Sequence, residues 1–241
     1  MHGSRRLKML VALAAVGLVT MTALLGLALR PDGAAACPDA GCGPPPVTLP
    51  ESIRFGAGDP VVTILLWIDL ESATSRQIFQ HVTRVVAASR RDVPAELRLL
   101  HLPAAPCHGP QQPFACLGAR LVECAEASLA GAGVQVAGAL LDLQWRPPAQ
   151  RTPDRAATAV AGLGLDAEAL LRCAAGSPAA DATLRAHAGL AARHGLAAAP
   201  GGLVVDVADP RRCSSFGPWL TESSLRAIVL CLARGRCEEV A

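Results

Sequence analysis

The stretch that most constrains the architecture reads Val61-Val-Thr-Ile-Leu-Leu-Trp-Ile68, followed by Asp69-Leu-Glu-Ser72-Ala-Thr-Ser75-Arg76. A continuous run of β-branched and large apolar residues is typical of a strand buried on both faces, as in the centre of an α/β sheet. Apolar residues then recur at helical spacing to about residue 90. This pattern predicts a helix for which Ser72 is the N-cap.

The remaining elements extend this unit into an α/β fold. Leu97–Leu102 predicts a second strand, which gives a βαβ unit with a right-handed crossover. Residues from about 113 to 195 predict only helices. Leu203–Val207 then predicts a third strand, residues 211 to 216 an antiparallel partner, and Thr221 the cap of a last helix.

The N-terminal sixty residues predict a membrane anchor and a spacer. Residues 9–29 are uncharged and apolar, and at about 1.5 Å per residue they span roughly the 30 Å of a bilayer core. The basic residues before this run keep the N-terminus cytoplasmic and send the rest outward. The chain is therefore divided into a cytoplasmic segment (1–8), a transmembrane signal anchor (9–29), a Pro/Gly-rich linker (30–59) and a folded domain (60–241).

Two alternatives to an uncleaved anchor remain open. Ala34-Ala35-Ala36 satisfies the small-residue pattern of a signal-peptide cleavage site, and cleavage before Cys37 would expose a cysteine for lipidation. All three interpretations place the domain outside the cytoplasm. The expected location is a single-pass membrane protein with a periplasmic C-terminal domain.

The nine cysteines indicate disulfides in an oxidising compartment. Cys37 and Cys42 are expected to form a local disulfide in the linker, with a mobile redox pair as the alternative. Because nine is odd, at least one thiol is free, intermolecular or lipidated. The C-terminal cysteines leave one ambiguous pairing: Cys213, Cys231 and Cys237.

The cysteines of the predicted helical block allow several roles. Cys107 and Cys116 bracket a loop that contains His108, and a structural disulfide is favoured there over a displaced redox pair. A neighbouring histidine can lower a thiol pKa, which is why the redox alternative stays open. Cys124 and Cys173 fall on predicted helices and can bridge them or remain buried thiols. Metal binding by Cys107, His108, Cys116 and Cys124 is a weaker alternative, since the tight spacing of zinc sites is absent.

Composition favours no nucleic-acid partner. The net charge is +2, and Lys8 is the only lysine among 22 basic residues. The arginines are scattered along the chain, whereas a nucleic-acid footprint clusters on one face. We predict no metal and no cofactor.

Two motifs resemble the DsbA-like family of thiol-disulfide interchange proteins. In that family an apolar strand is followed by a segment like F-S-D-x-E-C-P-x-C-R and an amphipathic helix. Here Asp69, Glu71 and Arg76 match that segment, while Ser72 and Ser75 stand at the two cysteine positions.

The second motif lies downstream of the helical block. The family has G-x-x-G-T-P-T-F-F-V-N-G, whose proline is cis and sits against the cysteine pair. Residues 195–206 occupy that place, with Pro200 at the proline position and Ala199 instead of threonine. The resemblance covers residues from about 60 to 234 and implies a thioredoxin-like α/β fold with a helical insertion and a cis Ala199–Pro200 bond.

The resemblance implies a site from which the chemistry has been removed. A serine hydroxyl stays protonated at neutral pH and forms no disulfide, so Ser72 and Ser75 cannot perform the family's exchange reaction. Ser72 as a hydrolytic nucleophile would need a neighbouring base. His81 lies about 13 Å further along the same helix, and His101 or His108 could approach only through the tertiary fold.

We therefore predict a non-catalytic binding or accessory protein that holds a polypeptide or an envelope protein outside the membrane. One alternative is a thiol-disulfide oxidoreductase or isomerase that uses an atypical pair such as Cys107/Cys116. A structural subunit of an envelope complex is another.

Overall fold

A five-stranded mixed sheet forms the centre of the domain. The computed structural model of the chain describes residues 52–89, 93–107 and 113–234. The sheet has the order β1-β3-β2-β4-β5, in which β2 and β3 are parallel and the other neighbours are antiparallel. The strands are β1 (Ile53–Gly56), β2 (Val62–Ile68), β3 (Ala95–His101), β4 (Gly201–Asp206) and β5 (Cys213–Phe216).

Helices cover both faces of this sheet. The first helix, α1, joins β2 to β3, and five helices separate β3 from β4 within the predicted helical block. The last helix follows β5. The helices are α1 (Ala73–Ser89), α2 (Phe114–Ser128), α3 (Ala132–Asp142), α4 (Pro153–Ala161), α5 (Ala167–Gly176), α6 (Pro178–Arg193) and α7 (Glu222–Arg234).

The central strand β2 is buried along its whole length, as its unbroken apolar run predicts. Val62, Ile64 and Leu66 face the larger core, which α1, α2, α3 and α7 complete. Leu65 and Trp67 face a smaller core closed by α6. The alternation of side chains along a strand explains why one run supplies both layers.

One strand was missed in the sequence. The predicted linker ends at residue 59, but β1 (Ile53–Gly56) belongs to the sheet, where it pairs antiparallel with β3. The predicted order of elements (βαβ, helices, ββα) was therefore wrong at its start, where one more strand precedes the βαβ unit. Four residues with a single fully buried side chain, Ile53, carry too little pattern to predict a strand.

Within the sheet, β4 lies very close to its neighbours. A Cβ atom at Gly202 would stand 2.2 Å from Cζ of Phe216 and 2.3 Å from the carbonyl oxygen of Leu65. No side chain fits at this position, so glycine sets the packing of β4 between β2 and β5.

The predicted transmembrane segment, residues 9–29, lies outside the described residues. Within the three described ranges, no helix has the length and apolar character needed to cross a bilayer.

Candidate functional site

Three chain segments meet at one edge of the sheet. The parallel strands β2 and β3 end there, at Ile68 and His101, and each continues into a loop that leads to a helix. Antiparallel β4 begins at the same edge, because Gly201 pairs with Trp67. Pro200 is therefore placed beside the end of β2, and the Ala199–Pro200 peptide bond is cis, as predicted from sequence.

The two serines at this edge serve the local backbone. The side-chain oxygen of Ser72 accepts a hydrogen bond from the Ser75 N–H at 3.2 Å, which makes Ser72 the N-cap of α1. Ser75 is fully buried, and its hydroxyl oxygen accepts from the Asp69 N–H at 3.0 Å. Both hydroxyls are therefore used as acceptors for backbone donors of their own loop.

Two of the histidines considered as a base for Ser72 are engaged elsewhere. His81 places Nδ1 3.2 Å from the Leu220 carbonyl oxygen, and His101 is buried at the end of β3 against His187. His108 lies outside the described residues. These contacts support the helix-cap role of Ser72 rather than a nucleophilic one.

Asp69 ties the loop after β2 to the loop after β3. One carboxylate oxygen accepts from the Glu71 N–H at 2.8 Å and the other from the Ala104 N–H at 3.0 Å. Glu71 in turn accepts from the Ala115 N–H at 3.1 Å, in the first turn of α2. Two acidic residues of the matched motif therefore fix the relative position of the two loops.

The comparisons with known proteins identify the fold. Neither a protein-family model nor a curated protein sequence matches the chain. Pseudomonas aeruginosa DsbA2 aligns with 78% of this chain and 98% of its own, at 22% identity and a TM-score of 0.60. The chain has a DsbA-like fold.

Two further structures agree with this assignment. A thioredoxin-like oxidoreductase from Silicibacter pomeroyi DSS-3 has a TM-score of 0.61 at 19% identity, over 77% of this chain and 94% of that one. Wolbachia pipientis alpha-DsbA2, a thiol-disulfide exchange protein, has a TM-score of 0.62 at 12% identity, over 75% and 87%. At these identities the likeness concerns the thioredoxin-like α/β fold.

The helical insertion of this DsbA-like fold carries two disulfides. Cys107 pairs with Cys116, nine residues later, and joins the loop after β3 to the first turn of α2. Cys124 on α2 pairs with Cys173 on α5, across 49 residues. These bonds exclude the metal-site alternative at residues 107, 116 and 124, since disulfide sulfurs are not thiolate ligands.

The other cysteines divide between described and undescribed parts. Cys213 and Cys231 are both disulfide-bonded, and the described ranges contain no free cysteine. Cys37, Cys42 and Cys237 lie outside those ranges. The free, intermolecular or lipidated thiol predicted from the odd count therefore remains a prediction.

A pocket of about 240 Å³ opens beside the Cys107–Cys116 disulfide. Its walls come from the loop after β3 and from one side of α6. Arg120 of α2 anchors this region: Nε donates to Asp181 on α6 at 2.7 Å, and Nη2 donates to the Cys107 carbonyl oxygen at 3.0 Å. The residues that line the pocket include Leu102, Pro103, Cys107, Leu184, Arg185 and Ala188.

A buried group of three titratable residues was missed in the sequence. The His101 backbone N–H donates to His187 Nδ1 at 3.2 Å, and His101 Nε2 lies 3.3 Å from a Glu123 carboxylate oxygen, without hydrogen-bond alignment. Burial, and next the neighbouring His101, lower the pKa of His187 to about 4, against an opposing effect of Glu123. Separations of up to 86 residues leave no sequence signal for this group.

Trp219 was also missed, and it is the most exposed large apolar residue described, at 91%. It lies in the loop from β5 to α7. Phe216, just before this loop, pairs with Gly202, and Leu220, the next loop residue after Trp219, contacts His81 of α1. Trp219 therefore stands between the Pro200 side of the sheet and α1; the one signal for it is a large aromatic residue in a Gly-Pro turn.

Proposed function

We propose that this protein is a membrane-anchored, extracytoplasmic polypeptide-binding factor whose DsbA-like site has lost its thiol chemistry. The proposal is supported by a hydrogen-bonded loop frame at this edge and by serines at the positions that align with the family's two cysteines. Asp69 and Glu71 hold the start of α1, and Pro200 lies beside the end of β2. Serine hydroxyls stand where the exchange reaction needs sulfur.

Trp219 supports a binding role for this edge. Trp219 is 91% exposed, and contact between its apolar ring and water is unfavourable in the free protein. Tryptophan is also enriched among the residues that contribute most to the binding energy of interfaces. Its loop runs from β5 to α7 and contacts α1 through Leu220 and His81, so a polypeptide that crosses this edge can bury the indole ring.

The disulfides support the extracytoplasmic location. Cysteines 107, 116, 124, 173, 213 and 231 are all paired, which is typical of an oxidising compartment. A reporter that is active only in the cytoplasm, fused after Ala241, is expected to stay silent. A strong signal would refute the orientation.

The binding proposal is tested with the purified full-length protein and a reduced, carboxymethylated protein as the unfolded probe. We expect Trp219→Ala to weaken binding by about tenfold or more, the scale of an interface hot spot. The matched control is Leu129→Ala, since Leu129 is 58% exposed but follows the end of α2. Equal effects of both variants, or no binding by the wild type, would contradict the proposal and favour a structural subunit.

A further inference from the structure

We propose that Cys107–Cys116 is an exchangeable disulfide that accepts a thiolate at the Cys107 sulfur. The bond lies at the carboxyl end of β3, the strand next to β2, and thus one strand away from the serine site. This activity is separate from the binding function proposed above, since it needs neither Ser72 nor Trp219.

Access favours attack at Cys107. Cys107 is half-buried in an irregular loop and contributes to the wall of the 240 Å³ pocket. That volume is many times the ~15 Å³ that one water needs on the same measure, so a thiol-bearing side chain fits. Cys116 is fully buried, which leaves Cys107 as the sulfur that an incoming thiolate reaches.

The position of Cys116 favours its departure. It is the third residue of α2, and its N–H donates to the Pro113 carbonyl oxygen at the helix start. The positive end of a helix dipole stabilises a thiolate, and a more stable thiolate leaves faster. The Arg120 guanidinium holds the Cys107 carbonyl oxygen at 3.0 Å, and the Asp181 carboxylate at 2.7 Å balances its charge.

The reaction balances with a dithiol substrate such as a reduced protein. A substrate thiolate forms a bond to Cys107 Sγ while the Cys107–Cys116 bond breaks, and Cys116 leaves as a thiolate that takes up a proton. The second substrate thiolate then attacks the substrate sulfur of this mixed disulfide and releases Cys107. The substrate is oxidised to a disulfide, and the protein is reduced by the same two electrons.

The Cys124–Cys173 disulfide provides an internal control. Both of its cysteines lie within regular helices, α2 and α5, and Cys173, like Cys107, is half-buried. Cys107 lies outside regular secondary structure and lines the pocket. The two disulfides share one chain and one buffer, and they differ in secondary structure and in access to the pocket.

The test is partial reduction of the full-length protein by reduced glutathione at pH 7. Samples are quenched with acid, alkylated and mapped by mass spectrometry. We expect Cys107–Cys116 to open about tenfold or more faster than Cys124–Cys173, with the glutathione adduct on Cys107. Opening of both bonds at equal rates, or an adduct on Cys116, would overturn the proposal.

A pocket variant tests the route of attack. Ala188→Phe fills the pocket and is expected to slow opening of Cys107–Cys116 about tenfold, since exchange depends on access. Ala182→Phe, on the exposed surface of the same helix and outside the pocket lining, is the matched control. An unchanged rate in Ala188→Phe would contradict entry through this pocket. Trp219→Ala is expected to leave the rate unchanged, which separates failure of exchange from failure of polypeptide binding.

Discussion

The helices that follow β2 and β3 begin at the same edge of the sheet but carry different chemistry. At the start of α1 lie Ser72 and Ser75, and both hydroxyls accept local backbone hydrogen bonds. At the start of α2, Cys116 forms a disulfide to a loop residue, Cys107. The dipoles of both helices favour an anion at the helix start. Only α2 has a residue there, Cys116, that forms a stable anion when its bond breaks.

This difference shows that the backbone sets the position of a site, whereas the residue type sets its chemistry. The backbone of a strand–loop–helix unit fixes the field and the orientation, and the residue type at one or two positions decides whether sulfur exchange can occur. Asp69 joins the two units through bonds to the loop after each strand, so their geometries are set together.

Restoring sulfur at α1 should have the largest effect. Once the Cys107–Cys116 disulfide has been removed, we expect Ser72→Cys plus Ser75→Cys to make this edge oxidise a reduced protein, because the helix start and its hydrogen-bonded frame are already in place. The measurement is oxidation of the reduced probe in a background that also carries Cys107→Ala and Cys116→Ala. If the two new thiols cannot form a disulfide, the alignment of this segment with the DsbA-like motif is wrong.

Removal of each native disulfide should lower the folding free energy by a different amount. The chain-entropy relation gives a loss of about 4 kcal/mol for Cys124→Ala plus Cys173→Ala and about 2.6 kcal/mol for Cys107→Ala plus Cys116→Ala, because the closed loops differ in length. Chemical unfolding measures both. A larger loss from the shorter loop would indicate that Cys107–Cys116 is the main structural bond.

Acid should lower the folding free energy through His187, which lies on α6 and packs against His101. Its pKa falls from 6.5 to about 4 in the folded protein, so the unfolded chain binds the proton first. The stabilisation that depends on neutral His187 is fully present above about pH 6.5. It is lost as the pH falls towards 4, and the total loss of folding free energy is about 3 kcal/mol. Unfolding at several pH values measures this loss. The acid-dependent loss of folding free energy should be smaller in His187→Gln and unchanged in His81→Gln.

The smallest effect should come from the serine hydroxyl itself. Ser72→Ala removes an N-cap and should cost about 1 kcal/mol of folding free energy. Ser177→Ala is the matched control, because the Ser177 hydroxyl caps α6 by accepting from the Ala180 N–H at 3.1 Å. Similar losses in thermal unfolding would identify Ser72 as a cap. Loss of a hydrolytic activity in Ser72→Ala alone would show a catalytic role.

Local patterns predicted the parts of the fold that depend on neighbouring residues. The buried run of β2, the Ser72 cap and the helical block between β3 and β4 all follow from periodicity and capping chemistry. Strand β1 could not be predicted, because its four residues are ordered by pairing with β3, at least forty residues away.

The sequence named residues for the candidate site but could not predict the contacts they make. Ser72, Ser75 and Pro200 follow from motif resemblance, and spacing allowed the Cys107–Cys116 and Cys124–Cys173 pairs without requiring them. The bridge made by Asp69 and the burial of His187 against His101 depend on where distant segments pack. Such contacts are products of the tertiary fold and leave no periodic trace in the chain.

The close approach at Gly202 has a consequence for how this protein can change over evolutionary time. Any side chain there would collide with Phe216 and with the backbone of Leu65, whereas a Cβ at nearby Gly217 would meet nothing within 4 Å. A library that randomises both positions should return glycine alone at 202 and many residues at 217. Among descendants of this gene, position 202 is therefore expected to stay fixed while the adjoining turn diverges.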